Sequence, residues 1–307
     1  MSTVMGGAGT TLGATGTRSG TSETGSVGTS GRRGVRALRF TALLVGALLF
    51  LFPFYYMVVG SLQKVPDTSL GGLLPHASNM TTANYTAIAK AISLPHALVS
   101  SGIFTGGVIL CTVVLGLLAG YAMAVLEFRG RQALFPLLLL VQVIPFQLLM
   151  IPLYVLVTRD YGLSDNYLGM ILPFAVNATA VFIFRQFFLG LPTSLFEAAR
   201  VDGASELAIL WRVALPLCRP AVLTAVLLTF IGPWNEFLWP FLVTKQKDQQ
   251  PLAVAPANYI SSVAGAADNP FGTVLAGACV LAAPAAALFL VFQRRFVSTQ
   301  LGSGVKG

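Results

Sequence analysis

Long apolar runs, separated by short polar segments, dominate the chain from about residue 40 onward. A transmembrane helix needs roughly 20 apolar residues to cross about 30 Å of hydrocarbon. Six runs meet or approach that length, at residues 40–60, 97–126, 133–157, 167–184, 220–244 and 269–293. The pattern predicts an all-α membrane protein with six transmembrane helices, and an even number of crossings leaves both termini on the same side.

The first 34 residues differ from the rest of the chain. They are rich in Gly, Ser and Thr and contain almost no side chain that could be buried. Segments of this composition cannot offset the entropy lost on folding, so we expect a disordered tail at residues 1–34 and a membrane domain at residues 35–307. A signal peptide is the alternative, but the apolar run that follows is too long and no small-residue cleavage site closes it.

The composition agrees with a membrane protein. Hydrophobic residues make up 55% of the chain and charged residues only 10%, whereas a soluble domain carries about 25% charged residues. The three cysteines and two histidines are scattered along the chain, so neither a disulfide framework nor a metal site is expected.

The net charge of +8 is an orientation signal rather than a sign of nucleic-acid binding. Lysine and arginine accumulate in the cytoplasmic segments of membrane proteins. With a cytoplasmic N-terminus, 14 of the 19 basic residues lie in cytoplasmic segments, and the exceptions are Lys64, Lys90, Arg159, Lys245 and Lys247. We therefore expect both termini in the cytoplasm and no nucleic-acid partner.

The predicted cytoplasmic loop between spans four and five has structure of its own. Ser194 and Glu197 have the spacing of a capping box, which predicts a helix that begins at Ser194. Gly203 can close that helix in the left-handed conformation, and Ser205 can cap a second one. The second helix should end before the Leu-Pro pair at Pro216. Two readings stay open on physical grounds: an interfacial pair that only anchors the loop, or a rigid protrusion that a partner contacts.

The same loop carries a spaced motif. Glu197-Ala198-Ala199 is followed by three residues, Gly203, nine residues and then Val213-Ala214-Leu215-Pro216. This resembles the EAA signature of permease subunits of bacterial ABC importers, E-A-A-x3-G-x9-I-x-L-P, with Val213 in place of Ile. The resemblance implies that the segment 190–220 contacts a separate ATPase through Glu197, Ala198, Ala199, Asp202, Gly203, Leu215 and Pro216.

The resemblance extends over nearly the whole chain from about residue 37. The segment WNEFLWP at 234–240 and the C-terminal FQRRFVSTQLGSGVKG are similar to the second, shorter permease of maltose-type carbohydrate importers. It implies a type I ABC importer permease fold with a cytoplasmic coupling helix in the bacterial cytoplasmic membrane. The implied partners are a second permease in a heterodimer, two ATP-binding subunits, an external solute-binding protein, membrane lipid and a carbohydrate substrate. Glycerol phosphate or a polyol is the alternative substrate.

The chain lacks the phosphate cradle that ATP hydrolysis requires. None of its lysines follows a glycine, so there is no G-x-x-x-x-G-K-[ST] loop, and we expect no cofactor in this chain and ATP with Mg in the partner ATPase. An intramembrane enzyme would need paired ionisable groups at membrane depth, and an ion-coupled secondary transporter would show internal repeats and several buried charges. Only Glu236 qualifies as a buried acid, so both classes are disfavoured.

Polar residues within the predicted spans are candidates for a translocation pathway. Asn235 and Glu236 lie in span five, Gln142 in span three and Asn177 in span four. Glu236 is costly inside a bilayer, by about 2.5–3.5 kcal/mol on insertion scales. Asn235 and Glu236 could face the cavity or a neighbouring permease. Alternatively, Glu236 could make hydrogen bonds within the helix bundle or reach the outer interface. Gln142 and Asn177 could line a gate or simply join helices.

A predicted external loop and span two each carry one further feature with two interpretations. In maltose-type permeases the loop that corresponds to residues 245–268 reaches into the sugar site of the binding protein, which makes Ala257, Asn258 and Tyr259 candidates for its tip; a plain connector is the alternative. In span two, the pairs Gly102/Gly106 and Gly116/Gly120 are small-residue packing motifs. They predict close helix contact, within this chain or with the second permease.

Overall fold

A computed structural model describes residues 29–65, 72, 74, 76–262 and 270–301. The chain falls into two compact units, residues 1–52 and 53–307. Helices account for nearly all regular structure in the described ranges, and the only strand-like feature there is an isolated antiparallel bridge between Gln63 and Met80. Residues 1–28 of the predicted tail lie outside the described residues, whereas residues 29–34 already belong to the first helix.

Three helices are long and apolar enough to cross a membrane on their own. They are α1 (Thr29–Ser61), α3 (Leu94–Val125) and α14 (Pro270–Leu301), with apolar portions at Leu38–Ser61, Leu94–Val125 and Pro270–Gln293. These portions match the first, second and sixth predicted runs. The agreement follows from composition, because a long apolar segment can satisfy its backbone hydrogen bonds in lipid only by forming a helix or a closed barrel.

The third, fourth and fifth predicted runs are not continuous helices. The remaining helices are α2 (Ala83–Ala91), α4 (Arg131–Val141), α5 (Phe146–Val155), α6 (Tyr167–Ile171), α7 (Ala178–Leu189), α8 (Thr193–Val201), α9 (Glu206–Ile209), α10 (Leu215–Leu217), α11 (Arg219–Asn235), α12 (Leu238–Val243) and α13 (Ala255–Ser262). Bends of 92°, 51° and 78° separate Arg131–Val141 from Phe146–Asp160, Tyr167–Phe174 from Ala178–Leu189, and Glu206–Leu217 from Arg219–Asn235. The described chain thus offers three spans, or up to six if each bent pair is one crossing.

Two of the three breaks have a local cause. Pro145 cannot donate a backbone hydrogen bond and is extended, with ψ of 128°. The chain therefore does not continue as one helix after α4 ends at Val141, and α5 begins at Phe146. Asn177 is likewise extended, and its side-chain oxygen accepts a 3.1 Å hydrogen bond from the Ala180 amide, which caps α7. The 92° and 51° bends therefore place residues 142–145 and 175–177 outside regular helix.

Helices α3 and α7 pack in close contact within the second unit. A Cβ atom added at Gly116 would lie 3.1 Å from the Ala180 Cβ, and one added at Gly120 would lie 2.6 Å from the Phe184 Cβ. The Gly116/Gly120 motif therefore serves contact inside this chain. Gly102 and Gly106 have nothing within 4 Å of such a Cβ, so the described chain supplies no partner for the first motif.

Candidate functional site

Helix α8 begins differently from the prediction. It starts at Thr193 after Pro192, whose ψ of 130° is extended, and no side chain caps its first turn. Ser194 is therefore already helical and cannot act as the N-cap, so the predicted capping box with Glu197 is wrong. Pro192 accounts for the earlier start, because its locked φ favours an extended residue directly before a helix. Phe196 anchors the buried face of α8 at 4% exposure.

The turn after α8 forms as predicted at Gly203. This residue has a φ of +79°, its amide donates to the Arg200 carbonyl at 3.0 Å, and the Ala204 amide donates to the Ala199 carbonyl at 3.0 Å. This pair of bonds is the Schellman arrangement that closes a helix. Ser205 then caps α9 by accepting a 3.3 Å hydrogen bond from the Ala208 amide. The loop is thus a defined helix–turn–helix.

The second helix of this loop does not stop before the Leu-Pro pair. A π turn at Leu210–Ala214 follows α9, and the helical run continues through Pro216 to Leu217. The prediction that the helix ends before Leu215 is wrong because a π turn shifts the hydrogen-bond register by one residue. The Leu215 amide consequently donates to the Leu210 carbonyl.

The surface of the loop combines acidic and apolar side chains. Glu197, Ala198, Asp202, Gly203 and Pro216 are exposed, whereas Ala199 and Leu215 are half-buried. Large apolar side chains are exposed nearby: Val201 at 87%, Leu207 at 62% and Trp211 at 49%. The motif residues that the sequence singled out therefore lie on one helix–turn–helix segment, with an apolar surface that a partner could cover.

A side-chain cluster joins this loop to α3. The Tyr121 hydroxyl donates a 2.7 Å hydrogen bond to Glu206 Oε2, and Arg200 Nε donates a 2.7 Å bond to Glu206 Oε1. The hydrogen bond from Arg200 lowers the pKa of the Glu206 carboxyl below its ordinary value. Partial burial opposes this shift, and the hydrogen bond from Tyr121 adds to it. This cluster is not among the residues predicted from the sequence. Arg200 and Glu206 flank Gly203 with opposite charges, which was an available signal, but nothing in the sequence points to Tyr121.

A cavity of about 660 Å³ opens beside the bends of the third and fourth predicted spans. Gln142 and Asn177 both line it, and Gln142 Nε2 donates a 2.8 Å hydrogen bond to Thr179 Oγ1. The structure therefore brings together two of the four predicted pathway residues. The full lining is Met123, Leu134, Leu137, Leu138, Val141, Gln142, Ile144, Pro145, Phe146, Leu149, Phe174, Val176, Asn177 and Ala178.

Asn235 and Glu236 lie elsewhere, at the break between α11 and α12. Asn235 is exposed, and its side-chain amide donates a 2.9 Å bond to the Ile231 carbonyl. Glu236 Oε1 accepts bonds of 3.1 and 3.2 Å from the amides of Leu238 and Trp239, which are the first donors of α12. The carboxylate thus makes local hydrogen bonds to the helix that follows it, and neither Asn235 nor Glu236 lines the cavity beside Gln142.

The three candidates for the tip of the external loop belong to α13. Tyr259 is only 6% exposed and packs in an apolar cluster with Ile88, Trp234 and Leu252, so it does not project from the loop. Asn258 is half-buried, and its side-chain nitrogen donates a 2.6 Å bond to Gln250 Oε1. Ala257 is also half-buried. Within the described ranges, no group of three or more His, Cys, Asp or Glu side chains could hold a metal ion.

Comparison with known families finds one match that covers most of the membrane domain. The family described as "Binding-protein-dependent transport system inner membrane component" matches residues 112–298. The matched region contains the helix–turn–helix loop, both bends that flank the cavity, and α11 to α13.

Several curated proteins are similar over nearly their full length. The chain is 35% identical over 267 residues to the arabinooligosaccharides transport system permease protein AraQ of Bacillus subtilis (strain 168), covering 85% of this chain and 92% of that protein. It is 32% identical over 274 residues to the sn-glycerol-3-phosphate transport system permease protein UgpE of Yersinia enterocolitica, covering 87% and 96%. It is 30% identical over 270 residues to the lactose transport system permease protein LacG of Rhizobium radiobacter, covering 87% and 95%.

The fold is also similar to that of a solved structure. A chain of a bacterial ABC transporter involved in the import of the acidic polysaccharide alginate superimposes with a TM-score of 0.75 at 25% sequence identity. The match covers 88% of this chain and 99% of the other.

Proposed function

Because the chain belongs to the family of binding-protein-dependent transport system inner membrane components, we propose that it carries a sugar or oligosaccharide across the bacterial cytoplasmic membrane. The resemblance to ABC importer permeases and the all-α membrane fold are both confirmed by these matches. The chain is a multi-pass transport subunit and not an enzyme. An external solute-binding protein delivers the substrate, and separate subunits hydrolyse ATP.

The lining of the cavity beside Gln142 is the observation that carries the choice of substrate. Its polar side chains are the amides of Gln142 and Asn177, and none of the described residues that line it is lysine or arginine. Amides exchange hydrogen bonds with sugar hydroxyls, whereas a phosphate is usually held by guanidinium or ammonium groups. A neutral sugar therefore fits this cavity better than glycerol phosphate does.

The proposed topology has six crossings. Arg131–Val141 with Phe146–Asp160 and Tyr167–Phe174 with Ala178–Leu189 each count as one, the fifth crossing is α11 with α12, and Glu206–Leu217 belongs to the loop before it. Both termini lie in the cytoplasm, as does the segment 190–220, which contains α8. The distribution of lysine and arginine along the chain supports this orientation. Segments 61–96 and 245–268 then lie outside, where Ala257 and Asn258 of α13 are available to contact the solute-binding protein.

We assign the role of coupling helix to α8. Its exposed Glu197 and Ala198, with Asp202 directly after the helix and the apolar Val201 and Trp211 nearby, form a docking surface for one ATP-binding subunit. A helix that only anchors a loop on the membrane would carry mainly Lys and Arg on its polar face. Of the two charged residues of α8, Arg200 is paired with Glu206 within this chain and Glu197 is left as an exposed acid, which favours the docking role.

The complete transporter contains a second permease, two ATP-binding subunits and the solute-binding protein, and the ATPase subunits hold ATP and Mg. When ATP closes the ATPase pair, α8 moves with the subunit on which it docks. That movement switches the cavity beside Gln142 from facing inward to facing outward. This chain contributes half of the translocation pathway and the coupling helix α8.

Deletion of the gene, followed by growth on single carbon sources, tests the substrate. We expect the deletion strain to lose growth on arabinooligosaccharides or lactose and to keep growth on sn-glycerol 3-phosphate. Uptake of the sugar by the parent strain should persist with an ionophore present, because ATP and not an ion gradient drives it.

Complementation of the deletion strain with Gln142→Leu should restore growth poorly, while Gln293→Leu, which changes an exposed amide on α14, should restore it fully. Selective loss of growth on sn-glycerol 3-phosphate would instead support the alternative substrate.

Crosslinking tests the docking surface. A cysteine at the exposed Ala198 should crosslink to an ATP-binding subunit in intact cells, whereas a cysteine at Ala257 on the proposed external side should not. If neither position traps an ATP-binding subunit, α8 is not a coupling helix.

A further inference from the structure

The carboxylate of Glu206 joins three elements that are distant in the chain. It lies at the start of α9 and accepts from Arg200 of α8, on the other side of the Gly203 turn. Its second oxygen accepts from Tyr121, which is 85 residues earlier in the chain and lies near the cytoplasmic end of α3. Arg200 and Glu206 form a salt bridge, with 2.7 Å between Arg200 Nε and Glu206 Oε1.

Tyr121 is held in place by aromatic packing. It is 3% exposed, and its ring makes edge-to-face contacts with Phe188 of α7 at 5.6 Å and with Phe196 of α8 at 6.1 Å between centroids. Phe196 is buried in the same cluster. The hydroxyl therefore has a fixed position from which it can donate to Glu206.

The neighbouring part of α3 is equally constrained. Gly120 directly precedes Tyr121, and a Cβ there would lie 3.0 Å from the Arg185 backbone nitrogen of α7. Rigid, closely packed elements transmit small displacements better than loosely packed ones. A displacement of α8 that reaches Tyr121 would thus be passed to α3 and α7, and α7 begins at the edge of the cavity.

We infer that Arg200, Glu206 and Tyr121 form a positioning relay that transmits the movement of α8 to α3 and so couples ATP hydrolysis to the state of the cavity. The salt bridge sets the angle between α8 and α9 across the Gly203 turn. The Tyr121 hydroxyl, through its hydrogen bond to Glu206, holds this turn against α3. None of the three residues touches the substrate or belongs to the motif Glu197-Ala198-Ala199. This inference rests on the proposed docking of α8 on an ATP-binding subunit.

The deciding variant is Tyr121→Phe, which removes one hydroxyl and keeps the buried ring. Tyr167→Phe is its matched control, because the Tyr167 hydroxyl hydrogen-bonds to Ser100 at the other end of α3, about 30 Å along the helix. Both variants are made in the whole transporter, with the native cysteines replaced by alanine and a reporter cysteine at Gln142, which lines the cavity. The probe is fluorescein maleimide, and labelling is compared without nucleotide and with ATP plus vanadate.

We expect the ATP-dependent change in labelling at position 142 to fall about fivefold or more in Tyr121→Phe and to stay unchanged in Tyr167→Phe. Copurification of the ATP-binding subunit and the rate of ATP hydrolysis should remain those of the parent in both. A Tyr121→Phe variant that keeps the full labelling change overturns the relay. So does one that loses the ATP-binding subunit, because the cluster then only supports the docking surface.

Charge reversal gives a second, independent readout. Arg200→Glu and Glu206→Arg should each reduce the labelling change, and the double variant should recover most of it, since the pair is restored in reverse. A double variant no better than either single variant counts against the relay. If the parent itself shows no ATP-dependent labelling, or never binds an ATP-binding subunit, the proposed function fails first and the relay fails with it.

Discussion

Gly120 of α3 lies directly against Phe184 of α7, with no room for a side chain between the two backbones. A Cβ at Gly120 would meet the Cβ of Phe184 at 2.6 Å, closer than real Cβ atoms approach. The contact occurs one residue before Tyr121 and one residue before Arg185. It packs the C-terminal ends of α3 and α7 tightly against each other, and the first prediction follows from this contact.

Replacing Gly120 with alanine should destabilise the protein. The added methyl group meets a Cβ and backbone atoms rather than the end of a flexible side chain, so the helices must separate, at a cost of about 1–3 kcal/mol. The thermal unfolding midpoint of the detergent-solubilised complex measures the effect. Gly106→Ala in the same helix is the control, because a Cβ there has nothing within 4 Å. Equal midpoints for the two variants would contradict the packing.

Substitutions at Gly203 should disrupt the turn between α8 and α9 without preventing insertion into the membrane. Gly203→Pro cannot adopt the φ of +79° and removes the amide that donates to Arg200, so the turn between α8 and α9 is lost. We expect normal insertion, measured by membrane fractionation, and loss of uptake or of the ATP-binding subunit from the purified complex. Gly203→Ala should cost about 1–2 kcal/mol of strain. Gly203→Asn, which tolerates left-handed backbone, should keep most activity. Normal transport by Gly203→Pro would argue strongly against a coupling role.

Glu236 should behave as a helix cap. Glu236→Ala removes the acceptor for the amides of Leu238 and Trp239 and should lower stability by about 1 kcal/mol. Glu236→Gln keeps a carbonyl oxygen at the same place and should stay near the parent. Chemical or thermal unfolding of both variants checks this. If Glu236→Gln destabilises the protein as much as Glu236→Ala does, and both variants lose transport, then the negative charge of Glu236 is needed. Helix capping would then not account for its role.

The salt bridge of Glu206 should produce a defined pH dependence. Its pKa in the folded protein is lowered from 4.5, chiefly by the Arg200 hydrogen bond. The contribution to stability is therefore complete above the ordinary pKa and is lost as the pH falls through the lowered one. We expect the difference in unfolding midpoint between the parent and Glu206→Gln to be constant near neutrality and to shrink below about pH 4.5. A difference that instead shrinks on raising the pH would show that another group is responsible.

Parts of this protein could be predicted because only local information was needed. Helices α1, α3 and α14 follow from apolar length, and the Gly203 turn follows from the conformational freedom of glycine in a capped helix–turn–helix. The spacing from Glu197 to Pro216 indicated the family. Pro145 could be read as a place where a helix weakens, but its sequence does not distinguish a mild kink from a 92° bend, since neighbouring groups decide how the freed backbone is satisfied.

The long-range arrangement required the tertiary structure. The apolar sequence determined by itself that the chain lies in a membrane and where its longest helices run, because lipid leaves the backbone few alternatives. Only folding in three dimensions decided that Gln142 and Asn177 share a cavity, that Tyr259 is buried, and that Tyr121 meets Glu206. Contacts of this kind depend on how helices approach and orient one another, and neither the period nor the composition of a single segment encodes that geometry.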